Sequence, residues 1–140
     1  MKGVSSYIRS VDLKKAVVGL RTDAIVETHV FRDEELSVDD VKEIIEAIAK
    51  IGERQMLPQL IVADPLASID VLAMNYLATA ESSPYAIAEA YVISSLAQKI
   101  IARFYLSFNK PARPTKMFGQ ETEAVRWLQE QTRLYHQKTA

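Results

Sequence analysis

Apolar and polar residues follow three rhythms along this chain, and each rhythm marks a type of element. From Val11 to Phe31 the chain reads as extended. Ala16-Val17-Val18-Gly19-Leu20 is rich in β-branched residues. In Ala24 to Phe31, Ile25, Glu27 and His29 alternate with Val26, Thr28 and Val30. The polar Arg21-Thr22-Asp23 between them suits a hairpin turn. The rhythm then changes: Val38, Val41, Ile44, Ile45, Ile48 and Ile51 recur at spacings of three and four, one apolar helix face. Ser37 can cap this helix, Asp39 and Asp40 favour its first turn electrostatically, and Gly52 can end it.

The third rhythm is the short unbroken apolar run, which suits a strand buried on both faces. Leu60-Ile61-Val62-Ala63 and Ala90-Tyr91-Val92-Ile93 are such runs. Asp70 can cap a helix over 70–80, and Glu81-Ser82-Ser83-Pro84 breaks the chain after it. Ser94-Ser95 can cap a helix running to about Phe108. The two prolines of Asn109-Lys110-Pro111-Ala112-Arg113-Pro114 forbid its continuation. Thr115 to Phe118 reads as a brief strand. Glu121 to about Tyr135 reads as a last helix, with Ala124, Trp127, Leu128 and Leu134 on its inner face. A hairpin followed by alternating helices and strands predicts an α/β fold with a mixed sheet of about five strands and helices packed on it.

The length of 140 residues and the absence of repeats or linkers point to a single domain over 1–140. A net charge of -1 lacks the basic excess of a nucleic-acid binder. The opening Met1-Lys2-Gly3-Val4-Ser5-Ser6-Tyr7 has no apolar run of signal-peptide length, and no uncharged apolar stretch reaches the roughly 18 residues of a membrane span. The expectation is a cytoplasmic protein. With no cysteine, disulfides, thiolate catalysis and cysteine metal sites are excluded.

Catalytic constellations are equally hard to build. His29 and His136 are the two histidines, and the sequence places no carboxylate or second imidazole beside either. The four glycines form neither a phosphate loop nor a dinucleotide fingerprint. Asp33, Glu34, Glu35, Asp39 and Asp40 cluster at the entry to the first long helix, without the alternation and central glycine of a calcium loop. They read as a solvated loop with first-turn acids. No catalytic, cofactor-binding or metal-ligating residue is nominated. An enzyme would need groups distant in sequence, such as Asp64 and His29, to meet in one pocket.

Two features stand out. Between Ala90 and Gln120 the charges are Lys99, Arg103, Lys110, Arg113 and Lys116, all basic. That is either a wetted helix side and polar loop or an anion-binding or membrane-surface face. Within that stretch, Leu96, Ile100, Ile101, Phe104, Tyr105 and Phe108 carry more apolar surface than one helix face usually buries. Beyond core packing, Ile100, Ile101, Phe104, Tyr105 and Phe108 are the candidates for an interface or the wall of an apolar cavity.

The order of elements resembles the STAS-like fold of bacterial anti-sigma-factor antagonists, shared in outline with CRAL-TRIO lipid-binding domains. It is similar to a group of small uncharacterised bacterial proteins with that fold, over about Leu20 to Leu128. The most specific part is Asn109-Lys110-Pro111-Ala112-Arg113-Pro114-Thr115-Lys116-Met117-Phe118, read as N-K-P-x-x-P-x-K-x-F, followed by the A-x-x-W-L helix of Ala124 to Leu128. In the antagonists a switch serine follows the third strand. The resemblance puts Ser68 there as the candidate for phosphorylation. The motif's glycine and paired hydroxyls are absent here, Asp70 would repel a phosphate, and a loop or capping serine is the other reading. What the resemblance implies is a non-catalytic regulatory or protein-interaction module without a cofactor, a homodimer or bound to a protein partner. The alternative is a carrier of a small apolar ligand or lipid, with a cavity of several hundred Å³.

Overall fold

In a computed structural model, which describes residues 7–139, the chain forms a six-stranded mixed sheet with helices on both faces. The Met1–Ser6 stretch, where a signal-like run was sought, lies outside the described residues. The chain order is β1 (Tyr7–Asp12), β2 (Ala16–Arg21), β3 (Val26–Val30), β4 (Glu35–Leu36), α1 (Val38–Ile51), β5 (Leu57–Ala63), β6 (Ser68–Ile69), α2 (Val71–Leu77), β7 (Ala86–Val92), α3 (Leu96–Phe104), β8 (Thr115–Phe118) and α4 (Glu121–Thr139). The sheet order is β1-β2-β3-β5-β7-β8, and β4 and β6 form a separate two-stranded ladder. The first three strands are an antiparallel meander, and β3, β5, β7 and β8 run parallel.

This topology dictates where the helices lie. Each parallel strand is added on the same side of the previous one, and a right-handed crossover then puts every connecting helix on the same face. So α1, α2 and α3 share one face. The opposite face is left to α4, the helix that follows the last strand. The burial pattern agrees. Val18, Val26, Val41, Ile44 and Ile48 belong to one apolar cluster, and Leu60, Ala88, Ala90, Ala124 and Leu128 to another on the far side of the sheet.

The local signals explain the elements. Ser37 caps α1 in a full capping box: its hydroxyl accepts from the Asp40 amide, and the Asp40 carboxylate accepts from the Ser37 amide. Gly52 ends α1 at φ -86, and the left-handed positions fall on Glu53 and Arg54 instead. A Cβ at this glycine would sit 3.1 Å from Leu57 Cδ1, a tight contact that the leucine side chain would have to relieve. Asp70 and Ser95 cap α2 and α3 as the sequence implies. The path of α3 widens into a π-turn over Tyr105–Asn109 and stops at Lys110, whose φ is 50.

Two expectations change in detail. The sheet has a sixth strand, β1, which the pattern hides because an edge strand reading Tyr-Ile-Arg-Ser-Val-Asp has no clean alternation. Both central strands begin earlier than their apolar runs, β5 at Leu57 and β7 at Ala86. Among the described residues no helix is long and apolar enough to cross a membrane.

Candidate functional site

The two central strands alternate sharply. On β7, Ala88, Ala90 and Val92 pack towards α4, while Glu89 and Tyr91 point to the other face. On β5, Leu60 and Val62 face α4, and Gln59, Ile61 and Ala63 face away. On that second face α1 packs against β2 and β3, but α2 and α3 stand off the strands. The result is a cavity of about 140 Å³ between the sheet and α1, α2 and α3. Its wall is mainly aliphatic, with Val41, Ile44, Ile61 and Leu77 among its residues, and the polar groups Thr28, Gln59, Ser83, Glu89 and Gln98 contribute to it.

One group of polar residues centres on Glu89, which is 2% exposed. Its Oε2 accepts from Ser83 Oγ at 2.6 Å, and its Oε1 accepts from Tyr91 Oη at 3.2 Å and from Arg113 Nη1 at 3.3 Å. Arg113 is itself buried. Its other bonds go to the Leu77 carbonyl at 2.8 Å, to Ser82 Oγ at 3.2 Å and to the Thr79 carbonyl. The guanidinium thus ties the end of α2 to the strand carboxylate, and each charge compensates the other out of water. Tyr91 is pushed above its ordinary pKa by burial first and by the Glu89 charge second.

Tyr105, at the α3-to-π junction, completes the wall. It is 3% exposed, its ring meets Tyr91 edge-on at 6.4 Å, and its hydroxyl has no hydrogen-bond partner. It is the one buried side-chain polar atom among the described residues in that condition. Burial, and then the nearby Glu89 carboxylate, raise its pKa against the opposing pull of Arg113, so it keeps its proton.

The five residues nominated on this helix therefore separate. Ile101 and Tyr105 line the cavity. Ile100, Phe104 and Phe108 lie outside and are 55%, 56% and 72% exposed, with the two phenylalanine rings 4.7 Å apart. Leu96 joins them on the outer face. Ser68 lies in β6, half-buried and on the cavity wall, two residues before the α2 cap. Of the basic stretch, Arg113 is buried in its ion pair.

One sequence expectation is corrected. His29 does have a carboxylate neighbour: its Nε2 lies 2.7 Å from Asp64 Oδ1. Parallel pairing aligns Val30 with Ala63, so the residue after β5 reaches the one before the end of β3. Neither residue lines the cavity, because Thr28 and Val30, on either side of His29, are the ones that point into it. The acidic cluster is also put to structural use. Asp40 accepts from Lys15 Nζ at 2.7 Å as well as from Ser37. Among the described residues no group of three or more His, Asp or Glu is placed to hold a metal ion.

Glu89 and Gln59 escape sequence reasoning because each interrupts an apolar run and so appears to lie outside the strand. The available signal was period two: Glu89-Ala90-Tyr91 and Gln59-Leu60-Ile61 alternate about a small or aliphatic residue.

A solved structure of an uncharacterised DUF3478-family protein from Shewanella loihica PV-4, described as having a SpoIIAA-like fold, is similar to this chain. The TM-score is 0.58 at 14% identity, covering 86% of this chain and 98% of that one. The likeness establishes the STAS-like fold expected from the element order. No curated protein matches the chain. Residues 19–132 match a domain of unknown function, DUF7793, and the chain belongs to that family.

Proposed function

We propose that this DUF7793 member is a non-catalytic binding module that holds a small, largely apolar molecule between its sheet and α1, α2 and α3. The observation that carries the reading is the cavity of about 140 Å³ with its mostly aliphatic wall. Cavities of roughly 150 Å³ with such walls take up ring-sized hydrocarbons. The expected volume was several hundred Å³, so the ligand is smaller than a membrane lipid. The test is a titration of the 15N-labelled protein with cumene. Saturable amide shifts confined to β5, β7 and the α3-to-π junction are expected, and their absence would sink the reading.

The outer face of the same helix favours a second activity, self-association. Leu96, Ile100, Phe104 and Phe108 are large, apolar and more than half exposed. A second copy supplies an identical strip, and the two strips would cover one another. Sedimentation velocity checks this. A dimer that Phe104→Glu dissociates is the expected result, and a wild-type monomer at every concentration rejects it.

A further inference from the structure

We infer that Gln59 is the polar anchor of the cavity, and that the ligand is a ring-sized molecule with a carboxamide-like group, one that both donates and accepts hydrogen bonds. The inference rests on the cavity reading and names the chemistry of the occupant. Gln59 is 3% exposed, yet among the described residues its side chain has no hydrogen-bond partner. An amide buried in that condition costs free energy that leucine or methionine would not. It is not sealed off as the Tyr105 hydroxyl is, so it opens on the space that the residue lines. Gln59 also lines a hollow of about 10 Å³ beside the cavity, shared with Ile45, Ile48 and Ser83.

The other glutamine of the wall shows what a structural role looks like. Gln98 is 6% exposed. Its Oε1 accepts from the Ser94 and Ser95 amides, and its Nε2 donates to the Asp64 and Ala67 carbonyls. The fold uses all of that amide and none of the Gln59 amide. Strand register sets what surrounds Gln59. It pairs with Glu89 on β7, whose carboxylate already accepts from Ser83, Tyr91 and Arg113. On β3, Thr28 stands two positions beyond the partner of Gln59, on the cavity wall and with its hydroxyl also unpartnered. A carboxamide brings a donor for Gln59 Oε1 and an acceptor for Gln59 Nε2. A ketone meets the second need alone. A carboxylate also meets the second alone, and sets its charge against Gln59 Oε1 and near Glu89, the one charged residue lining the cavity. Arg113 keeps an unbonded Nε–H but does not line the cavity.

Four probes of equal heavy-atom count test this: cumene, acetophenone, benzamide and benzoate. Each is titrated by NMR into the full chain and into Gln59→Met, which keeps the side chain's length and removes its amide. From wild type to variant, benzamide should weaken about thirtyfold and acetophenone about fivefold, the effects of two net hydrogen bonds and of one. Cumene should bind both proteins alike, and benzoate should bind wild type less tightly than benzamide. Benzamide weakening no more than cumene, benzamide weakening no more than acetophenone, or benzoate binding wild type best would each overturn the assignment while leaving the cavity reading intact. Failure of cumene to bind either protein removes the cavity reading, and the inference falls with it. Circular dichroism confirms that Gln59→Met is folded. If it is not, Gln59→Leu takes its place, with the same outcomes.

Discussion

Each face of the sheet buries a glutamate, and the two are handled differently. On the α4 face Glu27 is fully buried, accepting from Tyr7 Oη at 2.7 Å and from Arg21 Nη1 at 3.1 Å. On the cavity face Glu89 is held by the same residue types, Tyr91 and Arg113. Around Glu27 the chain is closely packed: the Tyr7 ring lies on Gly19, where an added Cβ would come within 2.6 Å of three ring atoms. Around Glu89 there is open volume and a second tyrosine whose hydroxyl is unmatched. A buried carboxylate with its arginine is therefore no mark of a site by itself. What distinguishes the cavity face is polar capacity beyond what the fold uses.

The contrast comes from side-chain size on the same strands. Ala88 and Ala90 let α4 lie directly on β7, with Ala124 and Leu128 fully buried against them. Glu89 and Tyr91, between and beside those alanines, are long and polar, and α3 keeps its distance. The short α2 packs on α1 through the fully buried Ala73 and through Tyr76 and Leu77, and is tied further by Arg113 and by a hydrogen bond from Asn109 Nδ2 to Asn75 Oδ1.

The strongest way to break the comparison is to remove each carboxylate. Glu89→Ala should cost about 3–5 kcal/mol in urea denaturation, because it strands the buried Arg113, whereas Glu27→Ala should cost less, because Arg21 keeps its ion pairs with Asp23 and Glu121. If the clusters differ in function as proposed, a variant milder than Glu89→Ala, such as Ser83→Ala, should alter cumene binding, while Tyr7→Phe, which removes a bond to Glu27 on the other face, should leave it unchanged. Next in size, Leu128→Ala should cost about 3 kcal/mol. Ile101→Ala, which enlarges space already present, should cost about 1 kcal/mol. Equal losses would mean the cavity face is as tightly packed as the other.

The cap of α1, the helix over the cavity, provides a pH test. Burial works against ionising Asp40, but the hydrogen bond from Lys15 and the bonds from Ser37 outweigh it and hold the carboxyl below its ordinary 3.8. Its contribution is therefore fully present above that value and is lost as pH falls through the lowered one. Asp40→Asn should cost about 1 kcal/mol at pH 7, and the difference from wild type should disappear in strong acid. The smallest expected effect has the opposite sign. Tyr105→Phe should stabilise the ligand-free protein by about 1 kcal/mol, since it deletes a buried hydroxyl with no partner. Measured melting temperatures that fall instead would show that the hydroxyl is already satisfied.

Much of the architecture was legible in the residues alone. Ser37, Asp70 and Ser95 marked helix starts because a cap is a local bond between a side chain and an amide three residues on. The apolar period of α1 and the buried runs of β5 and β7 gave the alternating order, and that order gave the STAS-like topology. The candidate site was half visible. Ile101 and Tyr105 were nominated with Ile100, Phe104 and Phe108, but helical spacing does not say which arc of a broad apolar helix turns inward.

The pairings that make the site belong to tertiary structure. Glu89 meets Arg113 across 24 residues, and Arg113 reaches the carbonyls at the end of α2. Strand register and crossover handedness bring these groups together, and neither is encoded in any short window of sequence. The sequence by itself determined the four α-helices and five of the six strands of the main sheet, and that one helix has surplus apolar surface. Only the fold decided that α4 closes one face while the other keeps a cavity, because that depends on which side chains of β5 and β7 meet a helix and how closely it can approach.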